Sequence, residues 1–206
     1  MDEKILVFKE KGCIVPTHDL IKTPEQIAGI RESGKVNVAV LDAVASEIKA
    51  GMSTEDIDRI VARVTKEYGA VAAPLGYEGF PKSVCTSINS QVCHGIPSEE
   101  DILEDGDIIN VDVSTIYKGY FSDSSRMFCI GNVSEEMRRL VDITKQSIQV
   151  GLEQVKPWNF LGDMGEAIHT FTKEHGYSVV RDIGGDGVGL EVHEEPFVSY
   201  VSKKGT

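Results

Sequence analysis

The 206-residue sequence predicts a mixed α/β (α+β) fold in which pairs of helices alternate with antiparallel strands. Three observations carry this reading. Helix start and stop signals come in pairs, twice over. The two pairs end alike, Thr65-Lys66-Glu67-Tyr68-Gly69 against Thr172-Lys173-Glu174-His175-Gly176, at an offset of 107 residues, and Lys49 falls opposite Lys156 at the same offset. Between the pairs, the run Ile108-Ile109-Asn110-Val111-Asp112-Val113 alternates like a half-buried strand and leads to a hairpin turn at Lys118-Gly119.

Taken in order, residues 1–22 have Gly12, Pro16 and no clear period, and read as a loosely packed N-terminal arm before a domain spanning 23–206. Thr23-Pro24-Glu25-Gln26 supplies an N-cap, a first-turn proline and a capping-box glutamine. The helix that follows carries Ile27, Ile30, Val38, Leu41, Val44 and Ile48 and stops near Gly51. Ser53-Thr54-Glu55-Asp56 opens a shorter helix with Ile57, Ile60, Val61, Val64 and Tyr68 at helical spacing, closed by Gly69. Strands and the hairpin come next, ending near Gly131. Ser134-Glu135-Glu136-Met137 then opens a long helix that ends before Lys156-Pro157, and a last helix runs from about Leu161 to His175 with Gly176 as its stop. The repeat places a counterpart of the hairpin near positions 219 to 230, past Thr206. A two-fold arrangement of such units would bring two carboxylate hairpins to one central site.

Composition excludes several classes. The hydrophobic fraction is 41% and the charged fraction 26%, ordinary for a globular protein. No apolar run reaches the length of a membrane span, and the charged start Met1-Asp2-Glu3-Lys4 does not read as a secretory signal. A net charge of −12 argues against a nucleic-acid surface, which needs clustered Lys and Arg. Cys13, Cys85, Cys93 and Cys129 show no CxxC spacing and read as reduced thiols of a cytoplasmic protein.

The chemistry centres on Asp112 and Asp123, eleven residues apart across the turn. If Tyr117 pairs with Tyr120, Ser114 pairs with Asp123, and the two aspartates become diagonal neighbours on one face, roughly 7–8 Å apart between Cα atoms. Two carboxylates aimed at one point repel unless a cation lies between them, and such oxygen-rich sites suit hard or borderline divalent metals. Cys93-His94-Gly95-Ile96-Pro97 places a histidine before a Gly/Pro turn; adjacent strand residues face opposite ways, so Cys93 and His94 do not read as a nucleophile–base pair. The Gly184-Gly185-Asp186-Gly187-Val188-Gly189 stretch lacks the βαβ context of a dinucleotide site; its glycines let the backbone bend and carry Asp186 toward a site. His193-Glu194-Glu195-Pro196 sets a second histidine beside acidic residues, and Tyr77, Phe80 and Cys85 surround Gly76 and Gly79 as an apolar pocket wall.

Together these segments resemble the type I methionine aminopeptidases, from about Thr23 to Thr206. The motifs that carry the likeness are Gly76-Tyr77-Glu78-Gly79-Phe80-Pro81-Lys82-Ser83-Val84-Cys85, Cys93-His94-Gly95-Ile96-Pro97, Asn110-Val111-Asp112-Val113, Asp123-Ser124-Ser125-Arg126-Met127-Phe128 and His193-Glu194-Glu195-Pro196. The resemblance implies a pita-bread fold, a pseudo-two-fold domain with helices outside a curved antiparallel sheet. It implies two divalent metal ions (Mn, Co, Fe or Zn) with a bridging water or hydroxide as nucleophile. Asp112 and Asp123 would be ligands, Asp123 to both ions. His94 would contact the scissile peptide or its departing amine, and His193 would polarise the scissile carbonyl. Tyr77, Phe80, Cys85 and Val192 would line the methionine side-chain pocket. Substrates would be peptides with N-terminal methionine, including nascent chains at the ribosome, with no direct nucleic-acid or membrane partner, and the family is usually monomeric.

Two departures from that pattern shape the expectation. Asp186 stands where the family has a histidine ligand and would serve as the third metal ligand, its carboxylate favouring harder metals, and Val192 stands where a larger aromatic is usual. The family's two glutamate ligands fall past Thr206. The sequence reading therefore expects a C-terminally incomplete chain with lowered metal occupancy, impaired catalysis and an exposed sheet edge that drives association. The alternatives it leaves are a non-catalytic peptide- or partner-binding protein of the same fold, and a proline-directed peptidase.

Overall fold

The alternation of helix pairs and strands is the observed order in the structure, a computed structural model that describes residues 2–206. Helix α1 (Asp2–Glu10) precedes α2 (Pro24–Glu47) and α3 (Thr54–Glu67). Strands β1 (Val71–Ala72), β2 (Cys85–Ile88), β3 (Ile108–Tyr117) and β4 (Tyr120–Cys129) follow, then α4 (Glu135–Leu152), α5 (Leu161–Glu174), β5 (Gly184–Gly187) and β6 (Glu194–Ser199). The chain divides into two compact units, each described by itself below. One comprises residues 24–141 and 188–193; the other comprises the chain up to Thr23, residues 142–187 and residues 194–206.

In the first unit β3 is the axis of an antiparallel sheet. β4 pairs along one of its edges, while β2 and β1 pair with its first and second halves along the other. The hairpin register is the one expected from the sequence: Tyr117 pairs with Tyr120, Ser114 with Asp123 and Asp112 with Ser125. The turn residues Lys118 and Gly119 both have positive φ (52° and 83°), the twist that a two-residue hairpin needs. The alternation also holds. Ile109, Val111 and Val113 are completely buried on the helix-facing side and form one core with Val40, Leu41 and Val44 of α2 and Ile57, Val61 and Val64 of α3. Each fully buried aliphatic side chain contributes about 1.5–3 kcal/mol, so this layer is the main support of the hairpin.

Helix α2 buries a different stripe from the one its apolar residues suggest. Val38 and Ile27 are exposed, whereas Ser33 and Asn37 are buried with Val36, Val40, Leu41 and Val44. The helix is turned so that two polar side chains reach partners on the hairpin, and Val38 goes to solvent as a consequence. Gly29 allows its upper end to approach: a Cβ there would sit 2.3 Å from the ring of Tyr120. Helix α3 starts as expected, with Ser53 in a reciprocal capping box with Asp56.

The second unit contains α1 where the sequence suggested an aperiodic arm. Its Phe8 stacks on Trp158 (ring centroids 6.0 Å apart) and meets Phe160 edge-on at 5.7 Å, so aromatic packing rather than periodicity orders this segment. In the same unit β5 pairs with β6, and Lys22 forms an ion pair with Glu194 at the start of β6. The repeat seen in sequence has a structural counterpart: the Ala70 N–H bonds to the Thr65 carbonyl after α3 (3.0 Å), and the Tyr177 N–H bonds to the Thr172 carbonyl after α5 (3.0 Å), the same helix-stop geometry at the same offset. Among the described residues no helix is long and apolar enough to cross a membrane.

The capping box gives a direct test of this local reading. Replacing Ser53 by alanine removes the side-chain partner of the first-turn Asp56 N–H and is expected to cost about 1 kcal/mol in urea denaturation. Unchanged stability would contradict the capping role.

Candidate functional site

Asp112 and Asp123 leave the sheet on the side away from the α2 and α3 core. Asp123 stands opposite Ser114, whose hydroxyl donates a 2.8 Å hydrogen bond to Asp123 Oδ1. Asp112 lies two rungs further along, opposite Ser125 and on the same face, so the charge of Asp123 acts on its carboxyl. Burial, and after it the charge of the neighbouring Asp123 carboxyl, raise the Asp112 pKa to about 7. Two carboxyls coupled in this way cannot both ionise without cost, so near neutral pH the pair holds a proton or requires a cation. All-oxygen donors fixed on two rigid strands fit a hard or borderline divalent ion. Among the described residues, no group of three or more His, Cys, Asp or Glu side chains is arranged to hold a metal ion.

Cys85 faces this pair from the neighbouring strand, directly opposite Asp112. Burial, followed by the charges of Asp112 and Asp123 and by Cys93, pushes its thiol up to about 12, so it stays protonated and is not poised as a nucleophile. The four cysteines are free thiols, in keeping with the sequence reading. The His94 segment is pinned to β2: the Thr86 N–H donates to the Gly95 carbonyl at 2.9 Å, and the Gly95 N–H reaches Ser87 Oγ at 3.3 Å. Only glycine fits there, since a Cβ would lie 1.9 Å from the Thr86 carbonyl oxygen. This close approach leaves His94 exposed, with φ 55°.

The loop after β1 turns tightly through Gly76 and Gly79 and is closed by bonds from the Gly76 N–H to the Phe80 carbonyl and from the Phe80 N–H to the Tyr77 carbonyl, each 2.8 Å. It is anchored to α3 by the Lys82–Glu55 ion pair (2.5 Å) and by the Ser83 N–H bonded to Asp58 Oδ1 (2.6 Å). Burial raises the Asp58 pKa above its ordinary value, against the pull of that hydrogen bond. The loop carries Tyr77 to His193: the Tyr77 hydroxyl lies 3.2 Å from His193 Nδ1, with the rings edge to face. Phe80 and Val192 are half-buried.

The fold thus brings Asp112, Asp123 and Cys85 together, and Tyr77 with His193. Asp186 belongs to the other unit, exposed on β5. The sequence reading missed the polar residues behind the aspartates, Ser33 and Asn37 of α2 with Thr115, Ser122 and Ser124 of the hairpin. The available signal is two polar side chains four residues apart, one turn before Leu41 and Val44, on the same helix as the apolar stripe.

Known proteins share this fold. Residues 28–206 match metallopeptidase family M24. The chain is 44% identical over 187 residues to the methionine aminopeptidase of Escherichia coli strain K12, covering 90% of this chain and 71% of that protein. It is 42% identical over 180 residues to methionine aminopeptidase A of Synechocystis sp., covering 87% of this chain and 71% of that one. The crystal structure of methionine aminopeptidase from Rickettsia prowazekii superposes with a TM-score of 0.88 at 39% identity, over 90% of this chain and 75% of that one. The antiparallel sheet with its paired outer helices is accordingly the pita-bread fold, and this chain belongs to metallopeptidase family M24, among the methionine aminopeptidases.

Proposed function

We propose that the chain removes N-terminal methionine from peptides and nascent proteins in the cytoplasm by metal-dependent hydrolysis, and that Asp112 and Asp123 hold the metal. The observation that supports this reading most is the register that sets the two carboxyls on one sheet face two rungs apart, where the charge of Asp123 raises the Asp112 pKa and repulsion is costly without a cation. When bound, divalent ions such as Mn²⁺, Co²⁺, Fe²⁺ or Zn²⁺ act as Lewis acids and lower the pKa of water into the neutral range. The protein's own groups then position the peptide. Ser114 fixes the rotamer of Asp123 through its hydroxyl. Tyr77 holds His193 through Nδ1, which leaves Nε2 for the scissile carbonyl. His94, presented by the Gly95 turn, meets the scissile peptide or its departing amine. Tyr77, Phe80, the protonated Cys85 and Val192 enclose the methionine side chain, whose polarisable thioether suits such a wall.

The direct test is methionine release from a Met-Ala-Ser tripeptide with added Mn²⁺ or Co²⁺. Release that chelator abolishes is the expected result. A folded, metal-loaded chain that releases none would overturn the catalytic reading and favour a non-catalytic peptide binder, and preference for X-Pro peptides would reassign the substrate.

A stability measurement tests the metal site separately. Because the folded pKa of Asp112 is raised, the native state binds that proton more tightly than the unfolded state. The metal-free protein therefore loses stability as pH rises from about 4 to about 7. In chelator, Asp112→Asn should raise stability by about 1–3 kcal/mol at pH 8 and by less at pH 5. Mn²⁺ should raise the Tm of the wild type and not that of the variant. A variant that melts lower in chelator at pH 8, or that keeps the Mn²⁺ effect, would contradict the assignment.

A further inference from the structure

The rung between the two aspartates is held from behind by a buried side chain. Along the hairpin, Asp112 pairs with Ser125, Val113 with Ser124 and Ser114 with Asp123, so the Val113–Ser124 rung lies between the carboxylate-bearing positions. Asn37 of α2, only 1% exposed, meets this rung from the core side. Its Nδ2 donates to the Val113 carbonyl at 2.5 Å and to the Ser122 carbonyl at 3.4 Å, and its Oδ1 accepts from the Ser124 hydroxyl. One amide thereby ties β3 to β4 with bonds that the strand ladder does not supply.

Two further facts make this clamp consequential. Among the described residues β4 pairs with no strand other than β3, so on its outer side only the Phe121 N–H is engaged, by the Gly189 carbonyl at 2.8 Å. An edge strand of this kind is the more mobile side of a hairpin. Burying an amide is also expensive unless every polar atom is paired, and here the donor and the acceptor of Asn37 both are. An apolar residue would fill the same volume in the core without that requirement. What the amide adds is a fixed distance and register between the strands that bear Asp112 and Asp123. Ser33, one turn earlier, extends the contact to the Thr115–Ser122 rung, the next one on the core face, through Ser122 Oγ (2.8 Å), which is itself 2.8 Å from Thr115 Oγ1.

We propose that Asn37 is a positioning residue of the metal site, setting the separation of the Asp112 and Asp123 carboxylates by clamping the Val113–Ser124 rung from the opposite face of the hairpin. The inference rests on the reading of those aspartates as metal ligands. It predicts that metal affinity is encoded partly in α2, a helix that contributes no ligand.

The test is calorimetric titration of Mn²⁺ into the full chain, with thermal unfolding of the same samples in chelator. Asn37→Ala should weaken Mn²⁺ binding by at least about tenfold, the scale of losing an orienting partner of a metal ligand. Ser124→Ala, which removes one of the clamp's bonds without altering the helix, should weaken it by a smaller factor. Thr54→Val is the control: it breaks a buried contact with Ser98 (2.8 and 3.1 Å) away from the hairpin, and should lower the Tm while leaving Mn²⁺ affinity within about twofold. If Asn37→Ala does not fold, Ser124→Ala decides. Wild-type affinity in the folded Asn37 and Ser124 variants, or an equal loss in Thr54→Val, would overturn the proposal while the metal reading stands. A wild-type chain that takes up no Mn²⁺ would instead overturn the metal reading and this inference with it.

Discussion

The register of the β3–β4 hairpin is the constraint on which the site depends. Side chains alternate across a sheet, so a slip of one residue would send Asp112 into the α2–α3 core and Val113 into solvent. Buried Ile109, Val111 and Val113 make that slip costly, because each would lose about 1.5–3 kcal/mol of burial while a carboxylate entered an apolar layer. The Lys118-Gly119 turn fixes the same register from the hairpin's end. Packing behind the sheet and turn geometry at its tip thus place the aspartates without either element touching them.

From that fixed pair the other parts follow at one remove. β2 sets Cys85 beside Asp112 and, through Thr86 and Ser87, holds the Gly95 turn that presents His94. The pocket loop is fastened to α3 by Lys82 and Ser83 and reaches across to His193 through Tyr77. The groups proposed to handle substrate therefore ride on loops, while the groups proposed to hold metal ride on the two longest strands. That division suits a reaction in which the charge-bearing centre must stay rigid and the peptide must enter and leave.

Much of this was legible from local chemistry. The helix pairs, their stops and the hairpin register follow from caps, glycines and alternation, which act over a few residues, and all of them appear as expected. The face of α2 was not legible, because Val38 and Ile27 look like core residues until the hairpin offers Asn37 and Ser33 hydrogen-bond partners some 80 residues away in sequence. Helix α1 was missed for a related reason, since Phe8 is ordered by Trp158 and Phe160 rather than by a helical period of its own. Long-range polar and aromatic pairing decided both cases, and it leaves no periodic trace in the chain. At the site, the aspartate pair and the Tyr77 loop were readable as motifs, but the contact of Tyr77 with His193 came only from the fold.

The most direct test of the account is the anomalous diffraction signal from crystals of this chain equilibrated with Mn²⁺. A peak within coordination distance of carboxylate oxygens of both Asp112 and Asp123 is the predicted result. Manganese bound elsewhere, with no density between the two carboxyls, would contradict it.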